Sequence, residues 1–253
     1  MKLIIHTGRG KTGSTSVQAT LKNSKSILEE NKIFYVGLNF ELSPILIHEW
    51  QIPFGWHKLL SLPAPEFTEQ LYSIIYSTLQ DLKVKGYTTV VWSNESLFTS
   101  LKRLREVLNR LSNDFELETV TFVRRHDKWV KSAYLQWGIK HKTYLGEVKS
   151  FKEWSKEGIN FSQHMQLWSE LDRAKCHFIN FDHCIDASQA MFKLLGLNSN
   201  ISSARVNETP SYLELAMYAL YNSLFTRQVL PIELGALLKR HKVNALKTPH
   251  IDL

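Results

Sequence analysis

The sequence predicts an α/β protein built on a parallel β-sheet flanked by helices, and three features point there. Apolar runs at 3–6, 88–92, 119–123 and 176–181 alternate with stretches of helical periodicity, the pattern of strands joined by helical crossovers. The first run passes directly into a glycine-rich turn and then into helical sequence. A length of 253 residues, 43% of them hydrophobic and seven of them tryptophan, allows one substantial core, and residues 1–253 read as one domain.

The first strand, Leu3-Ile4-Ile5-His6, leads into Thr7-Gly8-Arg9-Gly10-Lys11-Thr12-Gly13-Ser14-Thr15-Ser16, and Val17-Gln18-Ala19-Thr20-Leu21 continues as helix. Strand, glycine turn and helix N-terminus make a phosphate-binding arrangement, because the N–H groups of the first helical turn and the helix dipole favour an anion. Glycines let the backbone close in, and Lys11 supplies a mobile positive charge. The spacing separates this loop from the nucleoside-triphosphate loop, which needs a glycine, four residues, then Gly-Lys-Ser/Thr. Gly10-Lys11-Thr12 fits the end of that pattern, but the upstream glycine position holds Ile5, inside the strand. A plain Gly/Ser turn capping a helix is the competing reading. His6, which ends the strand, reads as a packing or loop-orienting residue.

An aromatic, proline-containing segment at 52–65 reads as an insertion and carries His57. Val90-Val91-Trp92-Ser93-Asn94-Glu95-Ser96 is a strand running into a polar turn, which puts Glu95 at the carboxyl edge of the sheet. The same glutamate also suits the first turn of a helix beginning near Ser93. The third strand, beginning at Thr119, ends on Arg124-Arg125, and a helix follows with Asp127 near its start as a cap or first-turn acid. At 100° per residue, Val130, Ala133, Tyr134 and Trp137 share one apolar face, while Ser132 lies opposite beside Lys128 and Gln136. An arginine leaving a strand and a serine on the polar face of the next helix are able to converge on one phosphate. An ordinary basic, solvated helix is the alternative. Residues 178–182 read as a last core strand with an acidic turn. Arg205 to Pro210 reads as a turn before a helix at 211–224, with Pro210 near its first position. After Gln228 come a helix and a basic tail.

Lys11-Thr12-Gly13-Ser14-Thr15-Ser16 resembles the 5′-phosphosulfate loop of sulfotransferases, and the Arg124-to-Ser132 spacing resembles the pair with which they hold the donor's 3′-phosphate. On these two motifs the chain is similar to the sulfotransferase family, nearest its bacterial and carbohydrate-type branch. The resemblance spans most of the sequence, though only the two motifs are specific. It implies a P-loop nucleotide-kinase-like sulfotransferase fold, with the donor 3′-phosphoadenosine 5′-phosphosulfate (PAPS) across the carboxyl ends of the strands, adenosine 3′,5′-bisphosphate (PAP) as product and no metal. It implies Lys11 at the bridging oxygen, Thr12, Gly13, Ser14, Thr15 and Ser16 on the phosphosulfate, and Arg124 with Ser132 on the 3′-phosphate. Glu95 is the first candidate for general base and His57 the second. Arg205 or Asn207 would sit on a C-terminal loop closing over the donor. Gly10 stands where the family often has proline, a change that removes no ligand.

The implied reaction is in-line transfer of a sulfuryl group to a hydroxyl, less readily an amine, of a carbohydrate or glycolipid-like acceptor. Two other readings remain at this point: a P-loop-type kinase acting on a small molecule, which the failed triphosphate spacing opposes, and a catalytically inactive nucleotide-binding module, which the intact Lys11 and Arg124/Ser132 oppose. A formal charge of +7, dense at 124–142 and 239–247, invites a nucleic-acid reading, but no helix-turn-helix, zinc or RNA-binding signature accompanies it. A polyanionic donor accounts for the same bias. No run of about 18 apolar residues marks a membrane span, so only peripheral membrane contact stays open. A strand starting at Lys2 leaves no expected room for a signal peptide, and Cys176 with Cys184, read as two buried thiols, forms no disulfide framework or metal set. The expected compartment is the cytoplasm. Oligomeric state is not set by these features.

Overall fold

The computed structural model describes residues 1–157, 161–197 and 210–241. Among them, five strands form one sheet: β1 (Lys2–His6), β2 (Ile33–Tyr35), β3 (Thr89–Ser93), β4 (Glu116–Val123) and β5 (Ala174–Asn180). The order is β2-β3-β1-β4-β5 and every pairing is parallel, with Ile5 opposite Trp92 on one side and Thr119 on the other. The α/β class with a parallel, helix-flanked sheet therefore holds. β1 is central and buried on both faces, which explains its unbroken apolar sequence.

Two strands depart from the sequence reading. Ile33-Phe34-Tyr35 was not anticipated as β2, since three residues are too few to display a period. β4 begins at Glu116 rather than Thr119, because Glu116 and Glu118 disguise its first half. Glu118 is buried there and takes hydrogen bonds from Lys2 (2.5 Å) and from the ring of His177 (3.0 Å). Burial pushes its carboxyl up, but the bonds from Lys2 and His177 outweigh that and hold it below the usual range.

The described residues divide into two compact units, 1–124 with 161–197, and 125–157 with 210–241. In the first unit, α1 (Ser14–Asn23), α2 (Lys25–Glu30) and α9 (Ala187–Leu194) cover one sheet face, packing Val17, Leu21, Leu28, Met191 and Phe192 against Ile4, Val91, Val120 and Phe122. On the other face, α4 (Ala64–Val84), α5 (Leu101–Leu111) and α8 (Phe161–Ser169) pack on Leu3, Ile5, Val90, Trp92 and Leu117. Along α4, Phe67, Leu71, Ile74, Ile75, Leu79 and Leu82 recur at three- and four-residue intervals and are all buried, a full helical stripe. The segment between β2 and α4 contains α3 (Trp56–Ser61). Trp92 ties that segment down by donating its ring N–H to the carbonyl of Leu38 (2.7 Å).

In the second unit, α6 (His126–Ala133) passes into a π-helix, Tyr134–Lys140, followed by α7 (Phe151–Trp154) and, later, α10 (Tyr212–Ser223) and α11 (Ile232–Arg240). The single apolar face expected from Val130 to Trp137 is corrected here: past Ala133 the wider turn no longer advances 100° per residue, and Trp129 with Ala133 are the buried members of α6. Asn222 holds the widened turn by donating to the carbonyls of Ile139 (2.5 Å) and Lys140 (3.4 Å). Lys142 is fully buried and donates to the carbonyls of Phe225 (2.8 Å) and Arg227 (3.0 Å). The helix expected at 211–224 is α10, and its N-cap is Ser211 in a capping box with Glu214, one residue after Pro210. Cys176 and Cys184 are free thiols, half-buried rather than fully buried.

Candidate active site

The carboxyl end of β1 is fixed from both sides. The amide of Asn94, following β3, donates to the carbonyl of His6 (3.0 Å), while the amide of Thr7 donates to Val120 of β4 (2.9 Å). The Thr7 and Thr121 hydroxyls meet at 2.6 Å. From this anchored end the chain turns through Gly8 to Gly13 into α1. In open α/β sheets ligands bind at the carboxyl ends where neighbouring connections diverge. β1 is such a place, because the chain leaves it for β2 on one side and β4 lies on the other.

Lys11 occupies the left-handed backbone region (φ 72°), unusual for a residue with a side chain. The Thr12 hydroxyl donates to the carbonyl of Arg9, and the Ser14 hydroxyl reaches back to the carbonyl of Gly8 (3.5 Å), so two of the loop's hydroxyls brace its own backbone. Gly13 is the N-cap of α1 with φ 80°, and no side chain among the described residues caps that helix start. The first-turn N–H groups of Ser14, Thr15 and Ser16 thus begin a helix whose first internal bond runs from Val17 to Gly13 (3.0 Å). A β-carbon on Gly13 would stand 2.9 Å from the Ala187 methyl and 3.0 Å from the ring of Phe181. Buried Arg9 lies over the ring of Phe161 (4.5 Å), and burial pulls its guanidinium down to about 10.

Arg124 directly follows β4 and stands beside this loop. Its guanidinium donates to the carbonyl of Lys11 (3.3 Å), stands 3.7 Å from a carboxylate oxygen of Asp182 and lies over Phe181 at 5.5 Å. The loop is therefore bracketed by the end of β4 and by the turn after β5. Asp182 had been legible only as an acidic turn. The structure makes it the counter-charge of Arg124.

Glu95 opens a short 3₁₀ turn, Glu95–Leu97, capped by Asn94, whose side chain accepts from the amide of Ser96 (2.9 Å). Both sequence readings thus combine: a turn at the sheet edge that is also a helical start. Gln18 of α1 donates its amide to the Glu95 carboxylate (2.8 Å) and lies 3.5 Å from the carbonyl of Ser93. Burial, then the charges of Glu41 and Glu95, push the Tyr35 phenol up. Behind Ser93, its hydroxyl meets Nδ1 of His6 at 2.7 Å. His6 is wholly buried, and burial lowers its imidazole from 6.5 to about 4, so it is neutral at pH 7. Among the described residues its Nε2 has no hydrogen-bond partner, and it abuts Gly8, where an added β-carbon would come within 2.5 Å. The reading of His6 as a packing or loop-orienting residue fits this place.

The structure thus brings together Lys11, Thr12, Gly13, Ser14, Thr15, Ser16, Arg124 and, through Gln18, Glu95. His57 is exposed on α3, with Nδ1 at 2.7 Å from the carbonyl of Phe54, and no hydrogen bond, ion pair or ring contact among the described residues joins it to the loop or to Glu95. Ser132 lies on α6 in the second unit. Arg205 and Asn207 lie outside the described residues. Gln18 was missed by sequence reasoning. Its signal was its spacing four residues after Ser14, on the same face of the helix that the loop begins. A cationic side chain, an uncapped helix start and an arginine beside a carboxylate make a site that is able to hold a polyanion and accept a proton next to it. Compared with protein-family models and with curated proteins, the chain matches none of them. No helix among the described residues is long and apolar enough to cross a membrane.

Proposed function

We propose that this chain is a sulfotransferase that moves a sulfuryl group from PAPS to a hydroxyl of a carbohydrate or glycolipid-like acceptor. The observation that carries the reading is the loop itself: Lys11 held in a left-handed turn immediately before an uncapped helix start, at the end of the central strand and braced by Arg124. The chemistry of this set suits a phosphosulfate, since cations and N–H donors dominate. Thr12 to Ser16 would hold the phosphosulfate, with Lys11 nearest the bridging oxygen, and Arg124 would hold the 3′-phosphate. The donor supplies an activated sulfuryl group, whose transfer leaves negative charge on the 5′-phosphate. Lys11 is most valuable against that developing charge, so it favours the transition state over the bound donor. Glu95 would take the acceptor hydroxyl's proton.

The test is thermal stabilisation by PAP, set against ADP and against ATP with magnesium. A ligand at a hundredfold over its dissociation constant adds roughly 2.7 kcal/mol when it binds only the folded state. Selective stabilisation by the bisphosphate is expected. Transfer of ³⁵S-sulfate from labelled donor to a set of alkyl glycosides is then expected in the wild type and absent in Lys11→Ala. A response to ATP with magnesium would make the chain a kinase. PAP binding with normal transfer in Lys11→Ala would sink the assignment of Lys11.

A further inference from the structure

A carboxylate that takes a proton in an in-line transfer must be held in place, because a misplacement of about 1 Å costs on the order of 10²-fold in rate. The backbone of Glu95 is already fixed, by the Asn94 cap on its turn and by the Asn94 amide on the carbonyl of His6. Those bonds leave the side chain free to rotate. We propose that Gln18 is a positioning residue that locks the Glu95 carboxylate onto the helix that the Lys11 loop begins. The inference rests on the sulfotransferase reading and adds to it a part that no motif contains.

The geometry is specific. One Gln18 nitrogen carries two hydrogens, and the structure places two acceptors around it, Glu95 Oε2 at 2.8 Å and the carbonyl of Ser93 at 3.5 Å. The second acceptor belongs to the backbone of the last residue of β3, so it orients the amide that grips the carboxylate. Gln18 lies four residues after Ser14, the first residue of α1, a rise of about 6 Å along the axis. The carboxylate is therefore carried beside the first turns of the helix whose start faces the proposed phosphosulfate site. Any motion of that helix moves the base with the donor loop, so their separation stays fixed. A donated bond also leaves the second carboxylate oxygen, Oε1, as the one for the acceptor proton.

The test has an arm that needs no turnover. The Gln18 side-chain amide is followed by ¹⁵N–¹H correlation spectra across pH 3–8, in the wild type and in Glu95→Gln. Other charged or titratable groups on the elements around this pair are Tyr35 and Glu41 from β2 and the loop after it, His6 from β1, Lys11 from the loop before Gln18's own helix and Lys22 in the last turn of that helix. The control removes Glu95 alone and leaves all of these. A Gln18 amide shift that follows one ionisation and loses it in Glu95→Gln is the expected result. In Gln18→Met, which keeps the length and loses the donor, kcat for transfer to the same glycosides is expected to fall about 10²-fold, while the donor's KM and the stabilisation by PAP are unchanged. An amide that ignores Glu95, or a Gln18→Met variant that loses PAP stabilisation along with kcat, overturns the role. Absence of PAP binding in the wild type instead fells the sulfotransferase reading, in a separate arm.

Discussion

Replacing Gly13 by alanine tests the idea that the loop is built to bring its backbone against α9. Gly13 has φ 80°, and its missing β-carbon would meet the Ala187 methyl at 2.9 Å and the Phe181 ring at 3.0 Å. The left-handed backbone costs a non-glycine residue about 1–2 kcal/mol. Forcing the two neighbours apart adds about 1–3 kcal/mol. Gly86, after α4, supplies the control: its φ is 86°, yet no atom of the described residues lies within 4 Å of its would-be β-carbon. Gly86→Ala should therefore carry the backbone cost alone, about 1–2 kcal/mol. For a chain of this size about 1 kcal/mol corresponds to about 2–4 °C in Tm, so a Gly13→Ala loss near 3 kcal/mol lowers Tm by about 6–12 °C. Thermal melts of the two variants, followed by circular dichroism beside the wild type, decide the matter. Equal shifts, within about 0.5 kcal/mol, would refute the close approach of the loop to Ala187 and Phe181.

His6 stays neutral in the folded protein down to about pH 4, whereas an unfolded histidine takes up its proton near 6.5. The unfolded state therefore binds more protons over that window, and stability falls as pH drops from 6.5 to 4, with a slope approaching one proton, about 1.4 kcal/mol per pH unit. His6→Leu should flatten that part of the profile, measured from urea midpoints between pH 4 and pH 7.5. In the second unit, Lys142→Met takes away the donor to the Phe225 and Arg227 carbonyls and is expected to cost about 1–3 kcal/mol. Because the Val229 amide bonds to the Lys142 carbonyl at 2.9 Å, its hydrogen exchange should quicken in that variant.

Strands β1 and β3 and the second half of β4 were visible in the sequence because burial on both faces writes them as continuous apolar runs, β5, a half-exposed edge strand, showed only through its run at 176–181, and the loop was visible because its glycines, lysine and hydroxyls are consecutive. β2 has no such length. The first half of β4 hides behind Glu118, whose partners Lys2 and His177 come from other strands. The Gln18–Glu95 bond joins residues 77 apart, and only the pairing of β1 with β3 makes them neighbours. Periodicity also failed past Ala133, since a π turn obeys a different angle and its support, Asn222, lies over 80 residues away. Local chemistry was legible in each case, whereas contacts made by closure of the sheet were not.

The central place of β1 has a consequence for how the chain reaches this state. The His6–Ser93 and Thr7–Thr121 bonds that fix the end of β1 close loops of 87 and 114 residues. During synthesis the first strand must wait until β4 has emerged before both of its edges are paired. Until then the Lys11 turn is an unbraced glycine loop with no Arg124 beside it. Such distant closures slow folding and prolong the exposure of apolar strands such as Leu3-Ile4-Ile5. This early strand is thus among the last segments to take its final shape, and the bracing of the Lys11 loop waits on the arrival of β4 and Arg124.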